Sequence, residues 1–126
     1  MLRARDIVRP ARNKYGAKPA TVDGIRFDST KESRRYGELR LLEKARIIKN
    51  LETQPTFPID VVELFRQDRS PCLVHCGMFT ADFRYVEVAT GEVVIEDTKS
   101  GPTKTTAYRL RKRLVEAIHG ITIREV

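Results

Sequence analysis

Residues 79 to 99 read FTADFRYVEVATGEVVIEDTK, and the folding of this stretch decides how the rest of the chain is arranged. Two apolar runs flank Ala89-Thr90-Gly91-Glu92, a pattern that predicts a β-hairpin. The first strand carries a single carboxylate, Asp82, among Phe79, Ala81, Phe83 and Tyr85. The second runs Val93-Val94-Ile95 and then breaks into Glu96-Asp97-Thr98-Lys99. Charged side chains are seldom buried unless they are paired or hold a metal. An apolar strand ending in two acids, a spacer and a lysine is therefore the place to look for chemistry.

Side chains alternate along a strand, so Val93, Ile95, Asp97 and Lys99 share one face while Val94, Glu96 and Thr98 share the other. Asp97, not Glu96, is expected to face Lys99. The place of Asp82 depends on the turn. A loop of Thr90-Gly91, or of the four residues Ala89 to Glu92, sets Asp82 opposite Lys99 and on the face of Asp97. A three-residue loop, Ala89 to Gly91, sets it on the other face unless a bulge intervenes.

Outward from the hairpin, the pattern is that of an α/β domain. Residues 1 to 18 read as a basic arm broken by Pro10 and Gly16, and residues 19 to 126 as one domain. Thr21 to Phe27 alternates about Asp23-Gly24, a turn dipeptide. Ser29-Thr30-Lys31-Glu32 fits a capping box, and the helix it opens runs to about Ala45 with Glu32, Tyr36, Leu39 and Leu42 on one inward stripe. A strand beginning near Leu51 is irregular at Pro55 and Pro58. Arg66 to Gly77 reads as a loop. A second helix from about Thr105 to Gly120 has Ala107, Leu110, Leu114, Val115 and Ile118 as its apolar stripe, and Ile121 to Ile123 makes a last strand. The expected fold is a mixed sheet of about four strands flanked by helices, in the order α-β-β-β-α-β.

Composition sets the remaining bounds. No apolar run approaches the roughly 18 residues of a membrane span, and two cysteines do not make a disulfide framework, so a cytoplasmic protein is expected. The net charge of +7 is concentrated in two blocks. One is the N-terminal arm, with Arg12 and Lys14; the other lies around the second helix, with Lys104, Arg109, Lys112 and Arg113. Such blocks suit a polyanion, and the expected partner is DNA held by its phosphates. Cys72, His75 and Cys76 offer three zinc ligands, with only the distant His119 as a fourth, which falls short of a structural zinc site.

Asp82, Asp97 and Lys99 at a strand end, with Glu32 inward on the first helix, suit phosphodiester hydrolysis. Mg²⁺ binds through one or two carboxylates plus substrate phosphate. It polarises the phosphoryl oxygen and acidifies water, and a neighbouring lysine can orient that water or stabilise developing charge. Plainer readings exist: Glu32 as the acid of a capping box, and Asp82 with Lys99 as an ion pair at a sheet end.

Asp82 followed by Asp97-Thr98-Lys99 in this element order resembles the PD-(D/E)XK nuclease superfamily. Lys14 to Lys18, Gly24 to Ser29 with Glu32, Ala81-Asp82-Phe83 and Glu96 to Lys99 are similar to a small phage-borne family assigned to it. The motif's proline is replaced by Ala81, a position that contributes no ligand. The resemblance implies a restriction-endonuclease-like core and a phage-encoded endonuclease dependent on Mg²⁺ or Mn²⁺, leaving 5′-phosphate and 3′-hydroxyl ends. It makes Asp82, Asp97, Glu32 and the Thr98 carbonyl metal ligands, Lys99 the catalytic lysine, and Gln54 a polar helper. It implies a role in recombination, repair or processing of branched DNA, as in a Holliday-junction resolvase, and a branched substrate would call for a homodimer. The competing reading is a DNA-binding module that keeps the fold without the reaction.

Overall fold

The structure, a computed structural model, describes residues 19–63, 71–99, 101 and 104–126. The basic arm, with Arg12 and Lys14, and residues 66 to 70 of the expected loop lie outside the described residues.

Strands β1 (Ala20–Val22) and β2 (Ile25–Phe27) pair antiparallel. The turn between them places Asp23 and Gly24 at φ 51° and 75°, the left-handed backbone that an Asp-Gly hairpin turn uses. Helix α1 (Thr30–Lys44) starts at Ser29, whose hydroxyl accepts the Glu32 N–H at 3.1 Å. Its buried residues are Glu32, Ser33, Tyr36 and Leu39; of the inward stripe read from the sequence, Leu42 is only partly buried.

The chain then enters β3 (Ile48–Thr53) and β4 (Thr56–Glu63), and returns through β5 (Cys72–Thr80) and β6 (Phe83–Glu87). These four strands make one long antiparallel hairpin bent in the middle. Thr53 pairs with Phe83 and Thr56 with Thr80, and the register is unbroken between them. Across the bend, Gln54 N–H donates to the Asp82 carbonyl at 2.9 Å and Ala81 N–H to the Pro55 carbonyl at 3.0 Å. Gln54 has φ 53°, and the buried Pro55 beside it has no N–H to give the ladder. The inner half, β3 and β6, joins a four-stranded sheet; the outer half, β4 and β5, is a separate two-stranded ribbon.

Two expectations are corrected here. Residues 72 to 77, read as loop, are the start of β5, because the chain there pairs with β4 and not because its own pattern alternates. The expected single strands through Pro55 and through Asp82 each divide in two at the bend.

The main sheet has the order β3-β6-β7-β8, with β7 spanning Val93–Asp97 and β8 spanning Ile123–Glu125. The first two pairings are antiparallel and β7–β8 is parallel, so the sheet is mixed. Helix α2 (Thr106–His119) makes the crossover that parallel neighbours require. Thr105 caps its start, and Gly120 ends it at φ 63°, a left-handed conformation that glycine adopts without strain.

Each face of the sheet has its own core. Phe83, Tyr85 and Val94 pack with Phe27, Tyr36, Leu39 and Ile48 under α1. Ile95 and Ile123 pack with Phe57, Ile59, Phe79, Ala81 and Val115 between α2 and the ribbon. Of the expected α2 stripe only Val115 is buried; Ala107, Leu110, Leu114 and Ile118 are exposed. The helix lies on the ribbon through Tyr108, Val115 and His119, so its apolar flank turns outward.

Candidate active site at the end of β7

The turn joining β6 to β7 is Val88-Ala89-Thr90-Gly91, closed by Glu87 N–H donating to the Glu92 carbonyl at 2.9 Å. Its residue count is even, yet its centre falls one residue earlier than that of either even loop expected. Phe83 therefore pairs with Glu96, and Asp82 comes to lie beside Asp97 rather than opposite Lys99.

Alternation sends the two acids of the doublet to opposite faces. Glu96, fully buried, points toward α1. Arg35 donates to it twice, at 2.9 and 2.6 Å, and the Tyr85 hydroxyl donates at 2.6 Å. Burial alone would raise the Glu96 pKa, but these hydrogen bonds hold it below the usual carboxylate range. Glu96 is a satisfied structural acid.

Asp97 is the opposite case. It is 1% exposed, and among the described residues neither carboxylate oxygen makes a well-formed hydrogen bond, although the Asp82 carboxylate and the Tyr108 hydroxyl lie close enough to influence its titration. The Lys99 ammonium stands 3.7 Å from Oδ2, an ion contact too long for a hydrogen bond. Burial, and then the Asp82 charge, push the Asp97 pKa up to about 7, with Lys99 pulling it back. A nearly dry carboxylate with bare oxygens is costly by itself.

Asp82 is fixed at the bend of the long hairpin. Its Oδ2 accepts the Thr98 N–H at 2.6 Å and the Thr98 hydroxyl, taking over where the β7 ladder stops. Glu32, buried on α1, belongs to the same electrostatic cluster. Its pKa is raised to about 7 by burial first and then by Asp82 and Asp28, while the Asp28 backbone and Lys99 act the other way. The Lys31 ammonium, on the helix turn carrying Glu32, donates to the Lys99 carbonyl at 3.2 Å.

Asp97 and Lys99 open onto a cleft of about 260 Å³, lined also by Thr80, Thr105, Tyr108 and Arg111. A second cleft, of about 280 Å³, lies beside α1 among Lys31, Arg34, Arg35 and Glu38. It holds no orphaned acid, since Glu38 is bound to Arg35.

Among the described residues no three or more His, Cys, Asp or Glu side chains form a metal-holding group. A full cage of protein ligands is therefore not what this site offers. Mg²⁺, however, takes one or two carboxylates and leaves its other positions to water and substrate phosphate. The bare oxygens of Asp97 beside the Asp82 carboxylate fit that smaller demand.

The chain belongs to the DUF1064 family. The family model, described as a protein of unknown function, matches residues 12–121. No curated protein and no solved structure matches the chain. The DUF1064 match spans every residue of the cluster, from Glu32 to Lys99.

The remaining sequence-derived site residues divide. Lys104 and Lys112 are bound to Glu125 at 2.7 and 2.9 Å, and the two lysines hold the Glu125 pKa down to about 2. Arg109 and Arg113 are exposed on α2. Gln54 is exposed and supports Asp82 through its backbone N–H. Cys72 and Cys76 are free thiols. His75 contacts Asp60 at 2.6 Å and His119 the Pro58 carbonyl at 2.7 Å, so the zinc reading gains no ligand set.

Two residues of the site escape a reading by motif. Arg35 is the counter-ion of the buried Glu96, and its i, i+3 spacing from Glu38 suggests only a surface pair. Tyr108 sits in the first turn of α2, and its hydroxyl is buried without a well-formed hydrogen bond among the described residues. Burial, and next the Asp97 charge, raise its pKa above the ordinary phenol value. The Lys99 ammonium lies 5.0 Å from the centre of its ring.

Proposed function

We propose that this DUF1064 protein is a divalent-metal-dependent deoxyribonuclease with a restriction-endonuclease-like core. The observation that carries the reading is Asp97, nearly fully buried, with both oxygens bare, next to Asp82 and Lys99 at the mouth of a cleft. Structural carboxylates are satisfied, as Glu96 is; an unsatisfied one lining a cleft is what a cation site requires.

Asp97 and Asp82 hold Mg²⁺ or Mn²⁺, the Thr98 carbonyl adds a ligand, and Glu32 completes the acidic pocket from the helix side. When bound, the ion supplies concentrated positive charge against the charge that develops on the phosphoryl oxygens. Lys99, held by Asp97 on one side and the Tyr108 ring on the other, orients the attacking water and offsets that charge from a second direction. The water adds to phosphorus as the bond to the 3′ oxygen breaks; the attacking water gives up one proton to bulk solvent and the 3′ oxygen takes one from solvent, giving 5′-phosphate and 3′-hydroxyl ends. Arg109 and Arg113 hold the flanking backbone. The role is that of a phage-encoded enzyme of recombination, repair or branched-DNA processing, acting in the cytoplasm of the host cell. Two active sites in a homodimer suit a branched substrate.

The test is metal-dependent cleavage of duplex, single-stranded, flap and four-way-junction DNA by wild type, Asp97→Ala and Lys99→Ala. Cleavage by the wild type and loss of at least about 100-fold in each variant are expected. Variants that cut at the wild-type rate would sink the assignment. DNA binding without any cleavage would identify a binding module instead.

A further inference from the structure

The Tyr108 ring holds Lys99 in the chemistry above, but its hydroxyl has no role there, and the surroundings of that hydroxyl are specific. Its hydroxyl is buried, makes no well-formed hydrogen bond among the described residues, and lies close enough to the Asp97 carboxylate for the two to influence each other. Its ring is packed against Phe79, with centroids 6.2 Å apart, and the residue lines the cleft onto which Asp97 and Lys99 open. The Lys99 ammonium lies 5.0 Å from the ring centroid and 3.7 Å from the Asp97 carboxylate, so two groups fix its position. A cation over an aromatic face is held weakly when exposed and more firmly when desolvated. A buried donor without a well-formed hydrogen bond calls for an explanation, and at the mouth of a cleft a ligand oxygen supplies one.

We propose that Tyr108 is a substrate-contacting residue: its ring positions Lys99, and its hydroxyl donates to a non-bridging oxygen of the phosphodiester. The inference rests on the nuclease reading and adds a residue to it. A phosphate oxygen entering the cleft beside Asp97 meets the Lys99 ammonium and the Tyr108 hydroxyl together. That hydroxyl contact is strongest on the charged, pentavalent arrangement at phosphorus.

The two parts separate experimentally. Tyr108→Phe keeps the ring and removes the hydroxyl; Tyr108→Leu removes both. The assay is nicking of supercoiled plasmid with Mn²⁺, read beside Asp97→Ala and Lys99→Ala, with thermal unfolding of each metal-free protein at pH 8. Tyr108→Phe is expected to slow nicking by roughly 10- to 100-fold, the effect of one hydrogen bond to a charged group. Its unfolding temperature should be unchanged or higher, because the group removed is buried without a well-formed hydrogen bond in the free protein. Tyr108→Leu should be slower still.

If Asp97→Ala and Lys99→Ala are inactive while Tyr108→Phe nicks at the wild-type rate, this inference falls and the nuclease reading stands. If Tyr108→Phe unfolds several degrees lower, the hydroxyl is a structural partner of Asp97 and the inference falls as well. If Asp97→Ala and Lys99→Ala nick like the wild type, or the wild type does not nick, the nuclease reading fails and takes this inference with it.

Discussion

Asp97 and Glu96 are neighbours of the same charge type, both buried, with opposite fates. Arg35 and Tyr85 satisfy Glu96, whereas Asp97 is left with bare oxygens. Strand alternation made this difference readable in advance, since it set Asp97 and Lys99 on one face. Arg35 was not readable, because its contact with Glu96 spans 61 residues of chain. Replacing Arg35 with Met should cost about 3 kcal/mol in urea unfolding, since it leaves a charge uncompensated at a fully buried position. The raised pKa of Asp97 carries a pH signature of its own. A carboxyl whose folded pKa is about 7 binds its proton more tightly in the folded chain than in the unfolded one. Its favourable contribution is fully present below the unfolded pKa, near 4, and is lost as the pH rises through 7. Metal-free protein should accordingly lose stability between pH 5 and pH 8. Asp97→Asn should flatten that decline, and added Mg²⁺ should reverse it; a thermal-melt series in buffers of equal ionic strength would read both effects.

At the level of elements, the capping box and the stripe of α1 follow from local rules, and Ser29 caps the helix as its sequence indicates. Ser29→Ala should cost about 1 kcal/mol by chemical denaturation. The apolar stripe of α2 shows where periodicity stops informing. The pattern marks a continuous flank but does not say whether anything covers it, and Leu110 is 59% exposed. Leu110→Ser should change stability by no more than about 0.5 kcal/mol, while Leu39→Ala on the buried face of α1 should cost about 2–5 kcal/mol. The ribbon was the other element out of reach. Its strands depend on a pairing between Thr56–Glu63 and Cys72–Thr80, and residues 72 to 77 carry little alternation of their own. The prolines marked the irregularity correctly; that it was a bend shared by two strands required the partner.

Over the whole molecule, net charge indicated a polyanion without showing which cations are free to meet it. Lys104 and Lys112 are engaged with Glu125, and Arg109 and Arg113 are exposed without a carboxylate partner among the described ion pairs. Duplex binding measured in EDTA over a range of salt concentrations should distinguish the pairs. Replacing Arg109 and Arg113 together with Ala should reduce the slope of log K against log salt by about 2, at about 0.9 per phosphate. Replacing Lys104 and Lys112 should reduce it by clearly less. Equal losses in both double variants would mean that Glu125 releases its lysines when DNA binds.

The bend of the long hairpin also governs which substitutions can be interpreted. Asp82 gives its N–H to Glu96, its carbonyl to Gln54 and its carboxylate to Thr98, so one residue rivets three segments of backbone. Truncating it to alanine would remove a charge from the candidate site and a rivet from the frame in the same stroke. Asparagine retains an acceptor for Thr98 while removing the charge. Amide exchange at Thr98 in Asp82→Asn and Asp82→Ala would show which of the two losses each variant had suffered.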